Sequence, residues 1–346
     1  MINNLAVKYR PANFGDVVSQ QSIIKILEKQ LELKEYSNVY LFAGPSGCGK
    51  TTLARIFANK INNSSGTPIE IDAASNNGVD NIREIIKSAK ERSLDSEYKI
   101  YIMDECHMLT IQSWNALLKI IEEPPKYTIF MFATTDPQKI PNTIQNRVMR
   151  FNLSRISSLD IKNRLIHICK KEGFINYVDA CDYISRISKN QMRDAISILE
   201  KCVNYCDNSL KKCVDLNLNN VEECLGIYSY DIFIDLVDSI LDYNTNKVIK
   251  ILNYIYNQGN DMILFIDQFL SFTLDVCKYC ICKDIAVTKF PITIEDKIKS
   301  IINFDNPNKY YVYIIDSILN LKNMLKTDMN PKDTIEVNFI KLCGGN

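Results

Sequence analysis

Apolar positions follow two alternating rhythms through the first half of the chain. Asn38 to Ala43 is a short, mostly apolar run of strand length, and a glycine-rich stretch follows it at once. Ser22 to Leu33 before it, and Thr51 to Asn59 after it with Leu53, Ile56 and Phe57, carry apolar residues at helical spacing. Ile69 to Asp72, Lys99 to Met103 and Thr128 to Ala133 read as further strands, with Val79 to Arg92 and Ile111 to Glu122 as the helices between them. Pro124-Pro125 stops the second of these, because proline has no N–H with which to continue the ladder. Such alternation predicts an α/β domain built on a mostly parallel sheet covered on both faces. From Ser158 onward only helical spacing remains. Helices are predicted over 158–171, 177–187 and 191–205, and a polar stretch follows from Asp207 to Asn220. Further helices are predicted near 229–240, 245–257, 260–285, 292–302, 308–326 and 331–343. These patterns divide the chain into an α/β domain over 1–154, a three-helix domain over 155–216 and an all-helical domain over 217–346.

The 346 residues are long enough for two or three domains with real cores, and a 46% hydrophobic, 24% charged composition is globular. Lys+Arg and Asp+Glu both number 41, so the chain offers no general attraction to nucleic acid and any such contact needs a local patch. No apolar run reaches about 18 residues, so no membrane span is expected. Met1-Ile2-Asn3-Asn4 has neither the basic region nor the apolar core of a signal peptide, which points to a cytosol. Cys169, Cys181, Cys202, Cys206, Cys213 and Cys224 are scattered through helical patterns and read as small buried hydrophobes. Cys277, Cys280 and Cys282 are closest together, but they lack a fourth ligand and a helix turns 282 off the shared face, so no zinc is expected.

The chemistry concentrates after the apolar strand. Gly44-Pro45-Ser46-Gly47-Cys48-Gly49-Lys50-Thr51 fits the G-x-x-x-x-G-K-[ST] pattern in full, between a strand and a helix. Glycines let backbone N–H groups turn in around phosphates, and the helix N-terminus adds its positive end. Lys50 then supplies a point charge to the outer phosphates of ATP, and the Thr51 hydroxyl suits Mg²⁺. Asp104 and Glu105 end the strand from Lys99. Beside such a loop Asp104 is the Mg²⁺ partner through water and Glu105 the base for the attacking water; simple helix capping is the alternative. Thr135, at the end of the Thr128 strand, can present a hydroxyl near the terminal phosphate. Spacing singles out Arg147 and Arg193 without assigning either a role.

These residues resemble a known family. Lys8-Tyr9-Arg10-Pro11, Phe14, Asp16-Val17-Val18 and Gln20 look like the N-terminal signature of clamp-loader AAA+ ATPases. Ile69 to Ser75, Asp104 to Leu109, Asn115 to Lys119, Glu122 to Pro125 and Ala133 to Pro141 are similar to its bacterial DNA polymerase III gamma/tau branch. The likeness is dense over 8–200 and continues more weakly to Asn330-Pro331, Ile335-Glu336-Val337 and Leu342. It implies an ATPase domain, a three-helix lid and a helical collar that assembles five subunits around primer–template DNA, identical or with delta-type partners. It implies loading of a sliding clamp with ATP and Mg²⁺. By motif, Thr135 matches the first sensor threonine, Arg147 the finger reaching a neighbour's ATP, and Arg193 the lid arginine reading its own nucleotide. Arg10, Pro11 and Val18 match residues near the adenine, and Thr52 continues the phosphate loop.

Departures accompany the resemblance. The interval Lys60 to Pro68, where the family carries a four-cysteine zinc module, holds no cysteine. Arg147 is flanked by Asn146 and Val148, where the family has Ser and Cys. After Ala73-Ala74-Ser75, where the family places basic residues on DNA, stand Asn76-Asn77-Gly78. Asn76, Asn77, Arg83 and Lys87 are then the candidate DNA contacts, with Arg83 alternatively an ordinary partner of a helix acid. The chain stops near the expected end of the collar, so the long tail of tau-type proteins is expected to be missing. A compact, zinc-free, Asn-rich version suggests a reduced bacterium or a phage, hence bacterial or host cytosol. The rival readings are an AAA+ helicase loader or branched-DNA remodelling ATPase, and an architectural subunit that binds nucleotide without hydrolysing it. Intact Lys50, Thr51, Asp104 and Glu105 argue against the latter.

Overall fold

In the computed structural model, residues 4–206, 214–226, 228–258, 261–290, 294–325 and 331–344 are described. Two compact units divide the chain: Met1–Phe174 with Ile184–Asn204, and Ile175–Tyr183 with Tyr205–Asn346.

The first unit is built on a parallel sheet of β1 (Val39–Ala43), β2 (Ile69–Asp72), β3 (Lys99–Asp104), β4 (Thr128–Thr134) and β5 (Met149–Asn152). Strand order is β2-β3-β4-β1-β5, so β1 and β3, which deliver the glycine loop and the acidic pair, flank β4. Side-chain alternation sorts the central strands β1, β3 and β4 between two cores. Tyr40, Phe42, Ile100, Ile102, Ile129 and Met131 pack on one face with Ile23, Ile24 and Leu27 of α2 (Gln21–Leu33) and Leu53, Ile56 and Phe57 of α3 (Lys50–Ile61). The short helix α1 (Leu5–Lys8) precedes them. Val39, Leu41, Tyr101, Met103, Phe130 and Phe132 pack on the other with Ile82 of α4 (Val79–Ala89) and Trp114, Leu117 and Ile121 of α5 (Ile111–Glu122). Both faces are covered, which is why these strands read as continuous apolar runs.

Elements of the first unit differ in places from the sequence expectation. The strand β5 was not expected: among its four residues only Phe151 is buried, stacked on Tyr40 and Phe42 at 6.3 and 5.5 Å. Pairing with β1, and not local pattern, makes it a strand. The helix expected to reach Arg92 ends at Ala89, because Thr128 Oγ1 and Tyr127 Oη donate to the carbonyls of Ala89 and Lys90 at 2.8 and 2.5 Å. After β4 come α6 (Asn142–Gln145), α7 (Ser158–Glu172), α8 (Tyr177–Ile187) and α9 (Met192–Cys206).

The second unit is helical, apart from an isolated bridge between Ile175 and Asp215: α10 (Leu218–Leu225), α11 (Tyr230–Leu241), α12 (Thr245–Asn257), α13 (Met262–Cys282), α14 (Glu295–Ile301), α15 (Pro307–Leu325) and α16 (Pro331–Leu342). Phe233, Phe265, Phe269 and Phe272 of α11 and α13 stack in its core, and Phe339 of α16 meets Phe269 at 5.5 Å. The polar stretch set at Asp207–Asn220 already contains the start of α10, since Asn217 Oδ1 caps it by accepting the Asn220 N–H at 2.9 Å. Cys213 lies outside the described residues. No helix among the described residues is long and apolar enough to cross a membrane.

Candidate nucleotide site

A cavity of about 440 Å³ opens at the C-terminal ends of β1 and β3. Ser46, Gly47, Cys48, Gly49, Lys50, Thr51, Thr52, Asp104, Glu105, Arg10, Pro11, Val18 and Arg193 all line it. Gly44 and Pro45 stand just behind: the Gly44 N–H donates to Thr134 O at 3.1 Å, and the Pro45 carbonyl accepts Lys50 Nζ at 3.0 Å. Thr135 and Arg147 are not in the lining.

The loop is shaped for an anion. Gly49 has φ 99°, and nothing lies within 4 Å of the place a Cβ would take. Its carbonyl accepts the Leu53 N–H at 2.8 Å, starting α3 with its free N–H groups toward the cavity. Lys50 is only 6% exposed, with that one carbonyl as acceptor, and Arg55 Nε, also at the cavity, is buried without a hydrogen-bond partner. Buried cationic donors this poorly satisfied fit a polyphosphate. Thr51 Oγ1 donates to Asp104 Oδ2 at 2.8 Å, bringing together two hard oxygen donors of the kind Mg²⁺ takes alongside water and phosphate.

Beyond the phosphate end, one backbone contact sets the position of Arg193. Met192 N–H, at the start of α9, donates to Gly47 O at 3.3 Å, and a Cβ on Gly47 would stand 2.9 Å from the Gln191 Cβ. The opposite wall is the N-terminal segment. Buried Gln20 holds it through both amide atoms, donating to Ser154 O at 2.8 Å and accepting the Ser154 N–H at 3.2 Å. Glu200 of α9 accepts the N–H groups of Asn4 and Leu5 at 2.7 and 2.9 Å, and Arg164 of α7 donates to Tyr9 O at 3.0 Å. Glu172 of α7 pairs with Lys8 at 2.6 Å and accepts the Tyr9 hydroxyl. Burial and this bond push the Tyr9 phenol up to about 12, while Lys8 and Tyr9 hold the Glu172 carboxyl below its usual range. Arg10 donates to Thr52 Oγ1 at 3.4 Å, and burial, with Arg55 next, lowers its pKa. Burial raises the Cys48 thiol.

Glu105 has left-handed backbone (φ 46°), and Thr135 Oγ1 donates to its Oε2 at 3.0 Å, so Thr135 joins the site through Glu105. Arg147 instead pairs with Glu122 of its own chain at 2.8 Å. The Asn76 amide donates to Asp72 O at 3.0 Å, Asn77 is exposed, and Arg83 and Lys87 share an exposed face of α4 with Arg83 paired to Asp80 at 3.0 Å. Sequence reasoning missed Arg55, Glu70, Arg164 and His107. Arg55 and Glu70 form an ion pair at the cavity wall, joining α3 to β2, and His107 stands beside Glu105. The signal available was spacing: Arg55 is four residues after Thr51 on the same helix face.

Two families match parts of the chain: "DNA polymerase III, delta subunit" over residues 66–157 and "DNA polymerase III subunits gamma and tau domain III" over residues 216–301. The DNA polymerase III subunit gamma of Buchnera aphidicola is 33% identical, covering 98% of this chain and 96% of that one. The subunit tau of Bacillus subtilis is also 33% identical; 97% of this chain is covered, but the chain spans only 62% of that relative's length. Among solved structures, the Thermotoga maritima RuvB Holliday junction branch migration motor has the same fold over 73% of this chain and 86% of its own, with TM-score 0.53 and 20% identity.

Proposed function

The chain belongs to the bacterial DNA polymerase III gamma/tau family, and we propose on that premise that it is an ATP-hydrolysing subunit of a clamp loader. What supports the reading most is that Lys50, Thr51, Asp104, Glu105 and Arg193 line one cavity in a chain aligned along nearly all of a curated gamma subunit.

In this reading the backbone N–H groups of Ser46 to Thr51 and the Lys50 ammonium bind the phosphates of ATP. Thr51, and Asp104 through water, would hold Mg²⁺, which would supply charge neutralisation on those phosphates. Glu105 accepts the proton of the attacking water, Thr135 orients Glu105, and Arg193 reads the nucleotide from the lid. Arg10, Pro11 and Val18 form the adenine side. Arg147 completes the site of a neighbouring subunit, so that hydrolysis depends on assembly. The organisation proposed is an ATPase domain over 1–154, a lid over 155–216 and a collar over 217–346. The collar joins subunits into a pentamer, either homomeric or with delta-type partners. ATP binding favours the arrangement that opens a sliding clamp, primer–template DNA enters past Asn76, Asn77, Arg83 and Lys87, and hydrolysis releases the loaded clamp.

The test is transfer of a sliding clamp to primed circular DNA by the assembled protein. Wild-type chain should leave clamp on the DNA in an ATP-dependent way. Glu105→Gln should bind ATP, engage clamp and DNA, and stall before release. No ATP-dependent clamp association would reject the reading, and wild-type turnover by Glu105→Gln would reject Glu105 as the base.

A further inference from the structure

Two residues after Glu105 stands one of the chain's two histidines. The left-handed turn at Glu105 reverses the chain after β3, and a single 3-10 turn over Cys106–Met108 closes when the Met108 N–H meets Glu105 O at 2.9 Å. Cys106 is thereby buried, while His107, 13% exposed, swings back toward the end of β4. Its Nδ1 lies 3.2 Å from Glu105 Oε2 and 3.2 Å from Thr134 Oγ1. Oε2 is the same carboxylate oxygen that accepts the Thr135 hydroxyl at 3.0 Å, and Oε1 has no hydrogen-bond partner among the described residues.

The surroundings choose the tautomer. An Nδ1 lone pair facing the carboxylate would repel it. A proton on Nδ1 is instead favoured by the carboxylate oxygen Oε2 at 3.2 Å and by Thr134 Oγ1, its aligned hydrogen-bond partner, which keeps a second lone pair for the Asp136 N–H at 3.0 Å. The two acids at the end of β3 are thus held by different groups. Asp104 is held by Thr51 and by the Glu105 N–H at 3.0 Å, and Glu105 by Thr135 and His107.

We infer that His107 is a positioning residue for ATP hydrolysis: its Nδ1–H, with Thr135, pins Oε2 of Glu105 and leaves Oε1 as the oxygen that meets the attacking water. This rests on the reading of Glu105 as the base. A base must come within about 3 Å of the proton it takes, and a carboxylate on a two-carbon arm holds such a place only when its rotamer is fixed from outside. His107 is not among the residues that line the cavity and acts through Glu105.

The decisive series is His107→Ala, His107→Asn and His107→Gln in the full chain within its assembly, with Glu105→Gln alongside. Steady-state turnover, KM for ATP, nucleotide affinity and melting temperature are read for each. His107→Ala should lower kcat about ten- to a hundredfold with KM and nucleotide affinity unchanged. The Asn amide N–H stands where Nδ1–H stood and should recover most of that loss. Gln, one methylene longer, carries its donor too far and should not. Wild-type kcat in His107→Ala, equal recovery by Gln and Asn, or a loss that appears in KM or affinity overturns the assignment. If His107→Ala does not fold, the Asn and Gln variants decide. Inactive Glu105→Gln beside fully active His107→Ala rejects the role of His107 alone, whereas an active Glu105→Gln removes the base and the role of His107 with it.

Discussion

Arg147 Nη2 stands 2.8 Å from Glu122 Oε1 of its own chain, and its Nη1 donates to Thr143 O at 2.6 Å. The arginine assigned to a neighbour's ATP therefore rests on α5, the helix that follows the acidic pair. Both side chains are more than 40% exposed, so the pair is worth about 0–1 kcal/mol and restrains the arginine only weakly. Arg147→Ala should keep nucleotide affinity while turnover in the assembly falls by about 10³–10⁵-fold. Glu122→Gln should raise assembly-dependent turnover by less than about fivefold. Paired nucleotide-binding and turnover assays check both; full turnover in Arg147→Ala contradicts the assignment.

Gly47 has φ 68° and no room for a Cβ beside Gln191. Gly47→Ala must open the contact between the phosphate loop and the start of α9, displacing Arg193 with it. The expected result is loss of the melting-temperature rise that ATP induces, together with a lower melting temperature without nucleotide. An unchanged ATP-induced rise would show that this contact does not shape the site.

The bond from Thr51 to Asp104 predicts how the protein uses Mg²⁺. Asp104→Asn should raise the Mg²⁺ concentration for half-maximal turnover by roughly tenfold or more while the protein still binds ATP. Titration of turnover with Mg²⁺ at fixed ATP measures it. An unshifted titration would remove Asp104 from the metal site.

Tyr9 and Glu172 give a pH signature. The Tyr9 phenol is raised from 10.0 to about 12 in the folded chain, so the unfolded chain ionises first as pH rises. Its contribution is complete below pH 10 and is lost as pH climbs toward 12. Between those values the thermal midpoint of wild-type protein should fall more steeply than that of Tyr9→Phe. Parallel curves would mean that the Tyr9–Glu172 bond contributes nothing to folding.

The parallel sheet was legible because each central strand is buried on both faces and each crossover helix carries an apolar stripe. The strand β5 was not, since its one buried residue, Phe151, becomes a strand residue only by pairing with β1. The loop from Gly44 to Thr51 and the acids at 104 and 105 were legible as motifs because their chemistry depends on short spacing. Arg55, Glu70 and Arg164 escaped because each depends on which distant segment it meets, and His107 because the left-handed turn at Glu105 that swings it back is not written in local spacing. Arg147 was singled out by its motif, but its partner Glu122 lies 25 residues away along the chain and is visible only in three dimensions.

The most direct test of the central claim is the ATP turnover of the complete assembly, its subunit count fixed by native mass, with and without a sliding clamp and primer–template DNA. Turnover should rise when clamp and primed DNA are present together, exceed the effect of either alone, and vanish in Arg147→Ala. An assembly shown to be complete whose turnover ignores both would contradict clamp loading as the work of this site.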